Sequence, residues 1–137
     1  MAVPELLLTR DQWATIVRHL RACLPEEGCG LLGGREARVE LVVPIENVEH
    51  SPVRYTLEPR AFVAALGRLE SLGLGFLAAF HSHPVGPLGV SQDDVREWQY
   101  PEAVLMVCVP GEPEWQARGF VVAGGRVTDA PLHIGGD

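Results

Sequence analysis

The sequence contains no lysine. All of its basic residues are arginine, eleven in 137, against 18 aspartates and glutamates, for a formal charge of −7. Schiff-base chemistry on a lysine amine is therefore excluded, as is modification of this chain through a lysine. An acidic chain without a basic stripe also fits nucleic acid poorly. Cysteine is scarce: Cys23, Cys29 and Cys108 are an odd set, and nothing at the start resembles a leader, which argues against a disulfide framework. Cys23 and Cys108 fall on apolar faces and read as core. No stretch approaches the ~20 apolar residues of a membrane span. The opening MAVPELLLTR has no basic region, and its apolar run is too short for a signal peptide. The expectation is a cytoplasmic protein that binds neither membrane nor nucleic acid. There is no internal repeat and no low-complexity segment.

What is present is an ordinary globular composition, 47% apolar and 21% charged, at a length that suggests one domain. Thr9 and Gln12 fit a helix capping box, with Leu8 and Trp13 placed as a hydrophobic staple. Trp13, Ile16, Val17, Leu20 and Leu24 continue at helical spacing until Pro25. Strands are expected over 28–34, 38–44 and 53–57. A second helix is expected from Pro59 to about Leu72, stopped by Gly73 and Gly75. The run 76–83 (FLAAFHSH) reads as a buried strand ended by Pro84. A Gly/Pro loop, 85–90, leads to a short helix opened by Ser91, and 103–109 reads as another buried strand. A hairpin, 115–122 and 126–128, closes over Gly124-Gly125. The segment 131–137 reads as a loose tail, and its Gly135-Gly136 pair as a flexible end. Alternating helices and strands give an α/β or α+β class around one mixed sheet.

The chemistry concentrates on His81, His83, Ser91 and Asp94. Residues i and i+2 of a strand share a face, so His81 and His83 project together and Ser82 projects the other way. Pro84 places them at a strand end, where open α/β sheets bind ligands. Asp94 lies one helical turn into the next element and can face the same space. Two imidazoles and a carboxylate leave a fourth tetrahedral position for water, the pattern of a catalytic zinc site. The same donors also suit iron(II), and Ser91-x-x-Asp94 taken alone is simply a capping box. Hydrolysis further needs a base. Glu26 and Glu27 are the candidates, and spacing does not choose between them. Cys29 is either a soft fourth ligand or a small core residue, with the core favoured. His19 and His50 read as surface, and His133 could ligate only if the tail folded back.

Together, PEEGCGLLGG (25–34) and HSHPVGPLGVSQDD (81–94) resemble the JAMM, or MPN-plus, metalloprotease family. That family pairs a Glu in a P-x-E-x-x-G-L-L-type segment with H-[ST]-H-P-x6-S-x-x-D, and the second pattern is matched in full. TLEPRAFVAAL also resembles the short prokaryotic members. The resemblance implies an MPN domain over 1–130, with a single mixed β-sheet flanked by helices, akin to cytidine deaminases; the P-C-x-x-C ligand motif of a deaminase proper is missing. It implies one Zn2+ per chain held by His81, His83 and Asp94. Glu27 would be the general base that passes the water proton to the leaving amine, with Glu26 solvated. Ser91 would hydrogen-bond the tetrahedral intermediate. The implied activity is a zinc peptidase or isopeptidase cutting after the C-terminal Gly-Gly of a small ubiquitin-like sulfur-carrier protein (ThiS/MoaD-like) or its C-terminal adduct. Other peptide or cell-wall substrates, and a non-catalytic metal-bound scaffold, stay open. So do the bond type, metal identity, homodimer formation and movement of the 85–90 loop.

Overall fold

The computed structural model describes residues 4–135. Its first helix, α1 (Arg10–Cys23), forms where the cap signals place it. Thr9 Oγ1 accepts the Gln12 N–H at 3.0 Å, and Gln12 Oε1 accepts the Thr9 N–H at 2.9 Å. The Gln12 amide then donates to the Val39 carbonyl at 2.8 Å, which ties the helix start to the sheet.

The strands are β1 (Leu6–Leu8), β2 (Cys29–Arg35), β3 (Arg38–Ile45), β4 (Gly75–Ser82), β5 (Val104–Val109), β6 (Gln116–Ala123), β7 (Arg126–Ala130) and β8 (Leu132–Ile134). The other helices are α2 (Pro59–Ser71) and α3 (Gln92–Glu97). All eight strands form one mixed sheet in the order β7-β6-β5-β4-β2-β3-β1-β8. The β4–β5, β1–β3 and β1–β8 pairs are parallel and the rest antiparallel.

The period-2 alternation of the strands divides the core into two layers. Leu32, Phe80 and Met106 pack with Ile16 and Leu20 of α1. Leu31 and Ala79 pack with Ala65 of α2, and Leu105 and Val107 pack against Val95 of α3. β4 therefore sends Phe80 and Ser82 toward α1, and Ala79 and His81 toward α2 and α3. No helix among the described residues is long and apolar enough to cross a membrane.

Several expectations need correction. The 53–57 segment is not a strand. It is a loop whose only ladder contact among the described residues is the Asn47–Leu57 bridge, because Asn47 takes the Arg54 carbonyl and the Thr56 N–H. The 131–135 part of the tail is not loose. Leu6, Leu7 and Leu8 pair with Leu132, His133 and Ile134, since β1 buries Leu6 and Leu8 and needs a neighbour on its open side. Gly136 and Asp137 lie outside the described residues, so the flexible Gly-Gly end is described only at Gly135. Three-residue strands are too short to show a period, which is why β1 and β8 escape a sequence reading. Cys108 is buried as expected, but Cys23 is only half-buried. His19 is not a surface residue: it is half-buried at the sheet, with Nε2 3.0 Å from the Cys29 carbonyl. His50 is exposed, as expected.

Candidate metal centre and active site

β4 is an interior strand, so its C-terminal end is fixed from both sides. His81 sits in register between Cys29 of β2 and Val107 of β5. Just beyond the strand, the His83 N–H still donates to the Cys108 carbonyl at 2.9 Å. Both rings therefore face the α3 side, as their spacing requires. Between them, Ser82 turns to the opposite face, where its hydroxyl accepts the Gly28 N–H at 2.8 Å, and its own N–H donates to the Gly28 carbonyl at 3.0 Å. Ser82 thus fastens the start of β2, and Glu27 beside it, to the histidine strand.

α3 supplies the carboxylate through a capping box. Ser91 Oγ accepts the Asp94 N–H at 3.0 Å, and Asp94 Oδ2 accepts the Ser91 N–H at 2.9 Å. The capping reading of this pair is correct, and it does not compete with the other role. The Asp94 carboxylate also lies 3.2 Å from His81 Nε2 and 3.3 Å from His83 Nε2, and those nitrogens are 3.1 Å apart. A tetrahedral zinc ion with bonds of about 2.0–2.1 Å spaces its ligand atoms about 3.3 Å apart. The three donor atoms therefore fit the edges of such a site. His83 Nδ1 lies 2.9 Å from the Pro87 carbonyl, which fixes the Nδ1–H tautomer and frees the Nε2 lone pair for a cation. His81 has no such support among the described residues: its Nδ1 is buried with no partner in them. Its ring is held by stacking on Tyr55, at 4.2 Å and 19°.

Glu27 completes the group. Its carboxylate and the two histidine nitrogens lie within 4.8 Å of one another, a looser spacing than that of Asp94. Two overlapping triads thus share the histidines, and only the one with Asp94 has the separations of direct ligands. The Glu27 backbone lies outside the ladder and is gripped by the 46–57 loop. Its N–H donates to the Ser51 carbonyl at 2.8 Å, and its carbonyl accepts from Asn47 Nδ2 at 3.0 Å. Burial pushes the Glu27 carboxyl up to about 7, with His83 acting downward and Asp94 upward. Burial also acts to raise Asp94, but hydrogen bonds to His81 and His83 outweigh it and hold this carboxyl well below the usual range. Burial lowers the His81 pKa. It acts the same way on His83, where the contacts with Asp94 and Pro87 prevail and raise it.

A cavity of about 240 Å³ opens beside this cluster, lined by Glu27, Tyr55, Ser91, Asp94, Trp98 and Tyr100 among others. The Ser91 hydroxyl, while accepting as a cap, keeps its own proton for a group in the cavity.

The model of the family described as prokaryotic homologs of the JAB domain matches residues 9–120. The chain belongs to this family. The JAB domain is 44% identical over 90 residues to a probable TtuB-protein conjugate cleaving protease of Thermus thermophilus, covering 64% of this chain and 60% of that relative. It is 27% identical over 132 residues to a CysO-cysteine peptidase of Mycobacterium tuberculosis, covering 94% of this chain and 90% of that one. A solution structure of a protein from Desulfitobacterium hafniense superposes with a TM-score of 0.87 at 31% identity, covering 96% and 94% of the two chains.

The structure brings His81, His83, Asp94, Ser91 and Glu27 together. Cys29 stays apart as core: its thiol donates to the Ile45 carbonyl at 3.4 Å and is pushed up to about 12 by burial, then by Cys23 and Glu27. Glu26 pairs with exposed His50 at 3.2 Å. His133 pairs with Glu5 at 3.1 Å on the sheet edge. Two residues of the JAB site escaped the sequence reading, Tyr55 and Asn47. Tyr55 had no signal beyond its aromatic character. Asn47 had one, as an Asx-turn former in a polar loop.

Proposed function

We propose that this JAB domain is a zinc peptidase that hydrolyses the amide bond after the C-terminal Gly-Gly of a small ubiquitin-like sulfur carrier in the cytoplasm. The observation that carries the reading is the ligand-spaced His81, His83 and Asp94 set with buried Glu27 beside it on one cavity. His81, His83 and Asp94 would hold the ion. The chemistry supplied at such a centre is acidification of water to a pKa of about 7 and polarisation of the scissile carbonyl.

The remaining steps belong to the chain. Glu27, buried beside the two imidazoles on the cavity, takes a proton from water and returns it to the leaving amine. Ser91 donates its hydroxyl proton to the oxyanion that develops on the substrate. The cavity wall from Tyr55 to Tyr100 orients the tail. The names of the two relatives support the substrate class: one describes cleavage of a TtuB-protein conjugate, the other a peptidase for CysO-cysteine.

The test is the intact mass of a Gly-Gly carrier extended at its C-terminus, incubated with zinc-loaded wild type and with Glu27→Gln. Cleavage after Gly-Gly by the wild type alone is expected. Zinc-loaded wild type that leaves every extended carrier intact would overturn the proposal.

A further inference from the structure

The Asn47 side chain is buried, and every hydrogen-bonding position of its amide is filled by backbone. Nδ2 donates to the carbonyls of Glu27 and Arg54, each at 3.0 Å. Oδ1 accepts the N–H groups of Glu49 and Thr56, each at 3.0 Å. One side chain therefore folds the 47–56 loop around itself and ties that loop to Glu27. The loop returns a second bond to the same residue, from the Glu27 N–H to the Ser51 carbonyl at 2.8 Å. Both backbone polar groups of Glu27 are thus held by this loop and neither by the sheet. The loop also carries Tyr55, which stacks on His81.

We propose that Asn47 is a positioning residue for the reaction: it fixes Glu27 over the metal centre and sets Tyr55 against the His81 ring. The inference rests on Glu27 being the general base. A carboxylate on an untethered backbone can shift by an ångström, and a misplacement of that size costs about 100-fold in rate. A residue that serves stability alone would lower the melting temperature and leave turnover at permissive temperature unchanged.

The experiment compares zinc-loaded wild type, Asn47→Ala, Asn47→Asp and Glu49→Ala on an extended Gly-Gly carrier, well below their melting temperatures. Asn47→Asp keeps the acceptor for Glu49 and Thr56 and loses the donors to Glu27 and Arg54. Glu49→Ala removes only the exposed side-chain bond accepted from Thr56, at 2.8 Å, and keeps the Glu49 N–H bond to Asn47. Both Asn47 variants are expected to bind one zinc and to lose about 100-fold in kcat, while Glu49→Ala keeps wild-type kinetics. KM stays within about threefold in Asn47→Asp, because its loop remains folded. Hydrogen exchange read on the same proteins needs no substrate. The Glu27 amide segment should exchange faster in both Asn47 variants, and the Glu49 and Thr56 amides faster only in Asn47→Ala. Wild-type kcat in Asn47→Asp, or unchanged exchange around Glu27 in Asn47→Ala, would overturn the inference. A wild type inactive on every carrier would count against the proposed function, and the exchange data would still decide whether Asn47 holds Glu27.

Discussion

Replacing Glu27 with glutamine should make the metal-free protein more stable above neutral pH and leave it unchanged in acid. Glu27 is only 4% exposed, and burial raises its carboxyl from 4.5 to about 7. The folded state then binds the proton more tightly than the unfolded chain. Below about pH 4.5 the group is protonated in both states and contributes no difference. As pH rises from 4.5 to 7 the unfolded chain ionises first, and the fold loses stability relative to it. Above about 7 the loss is complete, and the gap of roughly 2.5 pH units converts to about 3 kcal/mol. Glutamine has the same shape, keeps the backbone bonds to Ser51 and Asn47, and carries no charge to desolvate. For a chain of this size about 3 kcal/mol is roughly 10 °C in Tm. His81, His83 and Asp94 titrate in both proteins, but His83 also feels the Glu27 charge, so the difference between variants reports Glu27 together with its interaction with His83. Urea and thermal unfolding in chelator at pH 4, 6 and 8 provide the assay. A stability difference that is flat across this range, or a glutamine variant less stable at pH 8, would refute desolvation of Glu27 as the origin of its raised pKa.

Three other outcomes follow from the same contacts. Ser82→Ala leaves the buried Gly28 N–H without its 2.8 Å partner, and urea unfolding should show a loss of about 1–3 kcal/mol. Gly30→Ala would put a methyl 2.4 Å from Phe80 Cζ and 2.5 Å from the Val43 carbonyl oxygen; with backbone on one side it cannot be relieved by a rotamer change, and a loss of about 1–3 kcal/mol is expected in the same assay. Zinc at a thousandfold excess over its Kd should stabilise the wild type by about 4 kcal/mol, seen as a Tm rise that chelator reverses and that His81→Ala lacks; equal melting curves with and without zinc would count against the His81–His83–Asp94 site.

The parts of the site that were legible in the sequence rest on local rules. The period of two puts His81 and His83 on one face whatever the rest of the chain does. The i, i+3 geometry of a helix start puts Asp94 beside Ser91, and Pro84 ends the strand. Spacing does not choose between Glu26 and Glu27, because both are acidic residues in an irregular segment; the family resemblance alone points to Glu27. What separates them is remote: Asn47 and Ser51 hold the backbone of Glu27, while Glu26 turns out to His50. Tyr55 was placed in an expected strand for the same reason. The alternating pattern of 53–57 is real, but Asn47 takes the Arg54 carbonyl and the Thr56 N–H that a ladder would need. Local pattern lost to a buried side chain some seven residues away.

The shared use of Ser91 and Asp94 has a physical logic. α3 spans only six residues, far below the length at which a helix holds itself together in water. Its start survives because the capping box satisfies two end groups and Val95 packs on the sheet. The carboxylate that closes the box is the one that reaches both histidines. Forming the helix start and placing the third carboxylate are therefore one event, and a mutation that loosens the cap also displaces the Asp94 carboxylate from the two histidines. The histidines need no such device, since β4 is paired on both sides. The centre thus combines two donors fixed by an interior strand with one fixed by a short helix. Glu27, fixed by a loop, is the member of the cluster whose position depends most on contacts outside regular structure.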